Sequence, residues 1–195
     1  MAHAGCRRHE GDRRPGRRDR LRRLHTVPTH ELNIIPGLFQ TRAYASAVTA
    51  FWRQFLNAPD DVADAVELKL ARAARTLVPT NRIAVVLGAE ALQYRYTGSP
   101  ADHAEQLAHL LRVSRLPFVS LGIVPLSSAV RTGSATTGFW IFDEAVVRIE
   151  TPTAAIKVTR PTEIQLHLRL FAHQQGRAVH GAAARRMIAA ALADA

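Results

Sequence analysis

The run Phe139-Trp140-Ile141-Phe142-Asp143-Glu144-Ala145-Val146-Val147-Arg148-Ile149 decides the architecture of this chain. Two short apolar segments, Phe139 to Phe142 and Ala145 to Ile149, flank a pair of acids. Such a pattern predicts a β-hairpin, although Asp-Glu is a weaker turn signal than Asp-Gly. On its N-terminal side, Phe118 to Val124 puts Val119, Leu121 and Ile123 on one face and Ser120 and Gly122 on the other. On its C-terminal side, Ala155 to Val158 adds one more short strand. Farther upstream, Arg82-Ile83-Ala84-Val85-Val86-Leu87 is a short apolar run that reads as a strand buried on both faces.

Helical spacing brackets these strands. Pro36-Gly37 breaks the chain with a fixed φ followed by a free one. Thr41 then caps a helix whose Tyr44, Ala47, Val48, Phe51 and Phe55 share an apolar face. Pro59, Asp60 and Asp61 open a second helix, where acids suit the positive end of the helix dipole. Its stripe is Val62, Val66, Leu70, Ala73 and Leu77, and Pro79 stops it. Gly88 leads into a short helix from Ala89 to Tyr94, and Gly98-Ser99-Pro100 opens the next. There Ala104, Leu107, Ala108 and Leu111 are expected inward, with His103, Glu105, His109 and Arg112 in water. After Pro161, Ile164, Leu168, Phe171 and Ala172 fit a helix, although Ile164, Leu166, Leu168 and Leu170 also alternate. The length of the segment favours the helix. A last helix runs from about Ala182 to Leu192, with Met187, Ile188, Ala191 and Leu192 inward. The order of helices, strands and helices predicts an α+β fold, with helices packed on a small antiparallel sheet.

Composition sets the boundaries. A chain of 195 residues suits one domain and can bury about 70% of the surface its unfolded form exposes. Cys6 is the only cysteine, so no internal disulfide and no thiolate-rich zinc site is possible. No apolar run approaches the ~20 residues that span a bilayer. No apolar stretch follows the first arginines, so a secretory signal is not expected and a cytoplasmic location is. The net charge of +10 is concentrated at one end. Arg7, Arg8, Arg13, Arg14, Arg17, Arg18, Arg20, Arg22 and Arg23 face only Glu10, Asp12 and Asp19, which leaves +6 in residues 1–26 and +4 in all the rest. With few apolar residues, that stretch reads as a disordered arm, and residues 27–195 as the folded domain.

Residues 34–52 carry a more specific signal. Ile34-Ile35-Pro36-Gly37-Leu38-Phe39-Gln40-Thr41 and Tyr44-Ala45 resemble the Pro-Gly-Leu-Leu-Gln-Thr-x-x-Tyr-Ala signature of the actinobacterial domain-of-unknown-function 5753 family, with Phe39 at the second leucine. Further landmarks follow in the family's order. They are Glu90-Ala91-Leu92, Gln106-Leu107-Ala108-His109-Leu110, Ile123-Val124-Pro125, Gly138-Phe139-Trp140-Ile141 and Ile149-Glu150. The likeness covers roughly residues 27 to 193. One element departs: Lys69, Arg72 and Ala73 stand where the family often has Arg-x-x-Arg-Gln. The resemblance implies the domain usually found behind an XRE-type helix-turn-helix in transcriptional regulators, including antitoxin-like ones. No helix-turn-helix periodicity is present in the arm, which could equally be a remnant or a start-site artefact.

A search for chemistry returns little. Nine histidines include the pairs His103/His109 and His167/His173, whose spacing of six turns the rings about 120° apart on a helix. No His-Glu-x-x-His element, nucleophile elbow or phosphate-binding loop occurs, so no metal, cofactor or catalytic residue is expected. Glu90 and Glu150 are either an acid–base pair or anchors for backbone amides or for an arginine such as Arg148. Tyr44, Trp52, Tyr94, Tyr96 and Trp140 suit core packing as well as a cavity or partner groove. The ligand or partner candidates are Pro36, Gly37, Gln40, Thr41, Tyr44, Glu90, Trp140 and Glu150.

The expected function is that of a non-catalytic regulatory domain without its DNA reader. It would act by sensing a ligand, by self-association, or by binding a small partner protein or a paralogous regulator. The alternative is nonspecific nucleic-acid binding through the nine arginines, which would neutralise phosphates and release counterions.

Overall fold

The computed structural model describes residues 26–59, 61–126, 137–151 and 153–195. The arm lies outside these residues except for Thr26. That residue opens Thr26–Glu31 (β1), a strand that the sequence reading omitted. Pro28 explains the omission, since a proline argues against a central strand. Here β1 lies near the middle of a seven-stranded sheet, and its register with the neighbouring antiparallel strand covers only Thr29 and His30, just beyond the proline.

The chain then forms a single 3₁₀ turn, Gly37–Phe39, and two helices, Arg42–Phe55 (α1) and Val62–Thr76 (α2). Arg82–Gly88 (β2), a 3₁₀ turn at Ala89–Leu92, Pro100–Val113 (α3) and Val119–Val124 (β3) follow. Next come Phe139–Phe142 (β4), Val146–Glu150 (β5) and Ala155–Val158 (β6). Pro161–Arg177 (α4), the two-residue Val179–His180 (β7) and Gly181–Ala193 (α5) complete the fold.

The α+β class is the observed one, and the hairpin and helices expected from periodicity are present. The sheet itself needs a correction. Its order is β6-β5-β4-β1-β2-β3-β7, and the central β1, β2 and β3 are parallel, while the remaining pairings are antiparallel. The reason is connection length: α1 and α2 lie between β1 and β2, and α3 between β2 and β3, which is what parallel neighbours require.

Alternation along the strands gives the sheet two cores. Ile83, Val85, Leu87, Leu121 and Ile123 pack with Phe39, Tyr44, Val48, Leu107, Leu110 and Ile188 from α1, α3, α5 and the turn before α1. Val86, Phe139, Ile141 and Val147 pack on the other face against Ile164 and Phe171 of α4. Burying each such side chain contributes about 1.5–3 kcal/mol.

Two helical faces differ from expectation. On α1, Tyr44 and Val48 are buried, but Phe51 and Phe55 are 56% and 67% exposed. The helix runs past the edge of its core before Asn57, at φ 48°, closes it. That closure uses Ala58 N–H to Arg53 O and Asn57 N–H to Gln54 O, the paired bonds of a Schellman end. On α3, His103 and Gln106 are buried alongside Leu107, Leu110 and Val113, so the inward face is rotated from the expected one. His103 therefore does not face water.

Candidate functional site

The Pro-Gly-Leu-Phe-Gln-Thr segment is bound into the interior by side-chain hydrogen bonds. Gln106 of α3 accepts from Thr41 N–H at 2.7 Å and donates to Phe39 O at 2.8 Å. Gln40 Nε2 donates to Ile35 O at 2.7 Å, and the Tyr44 hydroxyl accepts from Ile35 N–H at 3.2 Å. Thr41 Oγ1 accepts from Tyr44 N–H, the expected cap, at 3.4 Å. Burial pushes the Tyr44 phenol well above its ordinary pKa of 10. Pro36, Gln40, Thr41 and Tyr44 are buried and hold the entry to α1. Gly37 is not in the left-handed region, and a Cβ there would meet open space, so its conformational freedom is not used.

Trp140 and Glu150, by contrast, meet. They line a cavity of about 50 Å³ together with Glu31, Gly138, Phe139 and Arg148. Register explains the gathering: Trp140 of β4 stands opposite Thr29 of β1 and Arg148 of β5. Residues two positions along then share that face, which adds Glu31, Gly138 and Glu150. The Trp140 indole N–H donates to Glu31 Oε1 at 3.1 Å. Gly138 leaves room for the Glu31 carboxylate, which a Cβ at that position would push aside.

The electrostatics of Glu31 are unusual. Burial, and secondarily the nearby charge of Glu150, push its pKa from the ordinary 4.5 up to about 7, against the opposing hydrogen bond from Trp140. Lys69 of α2 donates to Thr49 Oγ1 at 2.9 Å. Burial lowers its pKa while Glu150 raises it, so the ammonium stands within electrostatic reach of the cavity's acidic side. A half-protonated carboxyl beside a second carboxylate can exchange a proton near neutral pH or hold a cationic group.

Glu90, read from the sequence either as a partner of Glu150 or as a backbone or arginine anchor, does not line this cavity; its carboxylate lies beside Gly88 and the Leu32 carbonyl. Glu31 is the residue that reading missed, because Pro28 concealed its strand. No group of histidine, cysteine or acidic side chains among the described residues has the arrangement of a metal site. Among those residues no helix is long and apolar enough to cross a membrane. The nine arm arginines lie outside them.

A second surface is apolar. Phe51 and Phe55 stack at the outer end of α1 with Trp52 edge-on to both, ring centroids 5.2 to 5.9 Å apart, and Leu56 lies beside them with 47% exposure. Ala50, Arg53, Gln54, Asn57, Ala58 and Val62 line an open groove of about 280 Å³ at the same corner.

Neither a curated protein nor a solved structure matches the chain. The family model for a domain of unknown function, DUF5753, matches residues 22–190, and the chain belongs to that family.

Proposed function

We propose that this chain is a non-catalytic regulatory domain that works in the cytoplasm with helix-turn-helix transcriptional regulators, by contact with another protein. The observation that carries this reading is the exposed aromatic end of α1. Phe51 and Phe55 lie in water, and Trp52, half-buried against the core, joins them in one continuous cluster. Contiguous exposed aromatics are the usual centre of a protein interface, where their burial supplies most of the affinity. The partner is a second copy of the domain or a full-length regulator that carries the same domain.

Co-purification of the full chain with such a regulator, together with sedimentation velocity of the chain alone, tests the proposal. Either association or self-association is expected, and Phe51→Ser with Phe55→Ser weakens it at least tenfold, since each hot-spot residue contributes about 2 kcal/mol. Monomeric behaviour and no capture by wild type would reject the reading.

The arm supports a second reading, as nine arginines in residues 1–26 give it +6 and suit salt-dependent contact with nucleic-acid phosphates. Retention on DNA that survives removal of the arm would count against it.

A further inference from the structure

The cavity under Trp140 has a composition that the contact surface on α1 does not need. It carries charges of both signs: the Glu31 and Glu150 carboxylates and the Arg148 guanidinium. Among the described residues none of the three forms a salt bridge, although all line one small space. Among the described residues Glu31 pairs with the Trp140 indole N–H, and that neutral donor leaves the second carboxylate oxygen without a cation. Gly138 keeps the carboxylate in place, since any side chain there would displace it.

We propose that this cavity binds a small zwitterion of the α-amino acid type, its ammonium group against Glu31 and Glu150 and its carboxylate against Arg148. Size sets the limit. One water needs about 10–15 Å³ of such volume, so about 50 Å³ holds three to five heavy atoms. That is the common head of an amino acid, and a longer side chain leaves through the mouth of the cavity. Charge balance agrees, because a neutral ligand satisfies both signs without adding net charge to a partly desolvated space. An ammonium group beside Glu31 favours its ionised form, so binding opposes the upward push that burial gives its pKa.

Glycine is the test ligand, titrated into the full-length protein labelled with ¹⁵N at tryptophan. The indole N–H of Trp140 reports the site, and that of Trp52, on α1, serves as an internal control for folding. Saturable movement of the Trp140 signal alone is expected. Ethylammonium and acetate, each with half of the zwitterion, bind at least tenfold more weakly. Glycine keeps its zwitterionic form between pH 6 and pH 8, so its affinity follows ionisation of Glu31 and rises about tenfold across that range. Glu150→Gln and Arg148→Ala each weaken binding at least tenfold, and Gly138→Ala, which pushes the Glu31 carboxylate aside, weakens it as well. Phe51→Ser with Phe55→Ser leaves it unchanged, which separates this site from the α1 surface. An unmoved Trp140 signal, or ethylammonium or acetate binding as tightly as glycine, overturns the proposal.

Discussion

Gln106 links two distant parts of the chain through one side chain. Its amide is fully buried and serves one donor and one acceptor of the segment before α1, Thr41 N–H and Phe39 O. A backbone amide or carbonyl left unpaired in the interior costs about 1–3 kcal/mol. Gln106→Ala removes both partners at once and opens a cavity beside Phe39. It is expected to destabilise the protein by about 3 kcal/mol, read as a lower urea midpoint with an unchanged slope. A loss below about 1 kcal/mol would mean that water replaces the amide. In the sequence, this glutamine was visible only as part of a family landmark, because nothing in helical spacing marks a buried amide as a clamp.

Among the elements, the β4–β5 hairpin shows how a weak signal was still read correctly. Asp143 and Glu144 both adopt left-handed backbone, with φ of 51° and 53°. Three residues separate the strands, and Asp143 and Glu144 are the central pair of a β-turn closed by Ala145 N–H to Phe142 O; positive φ at both is the conformation that favours Asn-Gly and Asp-Gly. Glutamate carries a Cβ that resists this conformation, so Glu144→Gly is expected to stabilise the protein by about 1 kcal/mol, measured by thermal or urea denaturation. No gain would show that the Glu144 side chain makes a compensating interaction. The helices obey the same local rules. Ser99 caps α3 by accepting from Asp102 N–H at 3.3 Å, and Thr41 caps α1, so both starts were legible. The outer end of α1 was not. Periodicity put Phe51 and Phe55 on the apolar face, yet only packing decides how far along a helix that face is covered.

Across the whole molecule, two adjacent residues of β1 give opposing responses to pH because alternation sends them to opposite faces. His30 is fully buried, its ring tilted against Phe139 at 5.6 Å between centroids, and among the described residues neither ring nitrogen makes a hydrogen bond of ordinary geometry. Burial lowers its pKa below 6.5, the Val86 backbone offsetting only part of this. The unfolded chain then takes the proton more readily, so stability falls as pH drops below about 6.5. Glu31 acts in reverse. With a folded pKa of about 7 against 4.5, its contribution is present below pH 4.5 and is lost as pH rises through about 7. Glu31→Gln removes only the second response. Variant and wild type should be nearly equal in urea stability at pH 4.5. By pH 8 the variant should be more stable by about 2 kcal/mol, after allowance for partial exposure. An equal difference at both pH values would show that Glu31 does not titrate as described.

Local chemistry was sufficient for much of this protein. Caps, prolines and apolar spacing located the helices, the hairpin and the doubly buried β2, because those features depend on neighbours a few residues away. Family membership was legible in the same way, from the Pro36–Tyr44 string and the landmarks after it. Tertiary structure alone decided the parallel centre of the sheet and the place of β1 beneath its proline. It also decided that Trp140 and Glu150 meet Glu31 and not Glu90. Strand partners are chosen by burial across the whole sheet, and a register set between residues more than a hundred positions apart leaves no periodic trace in either segment.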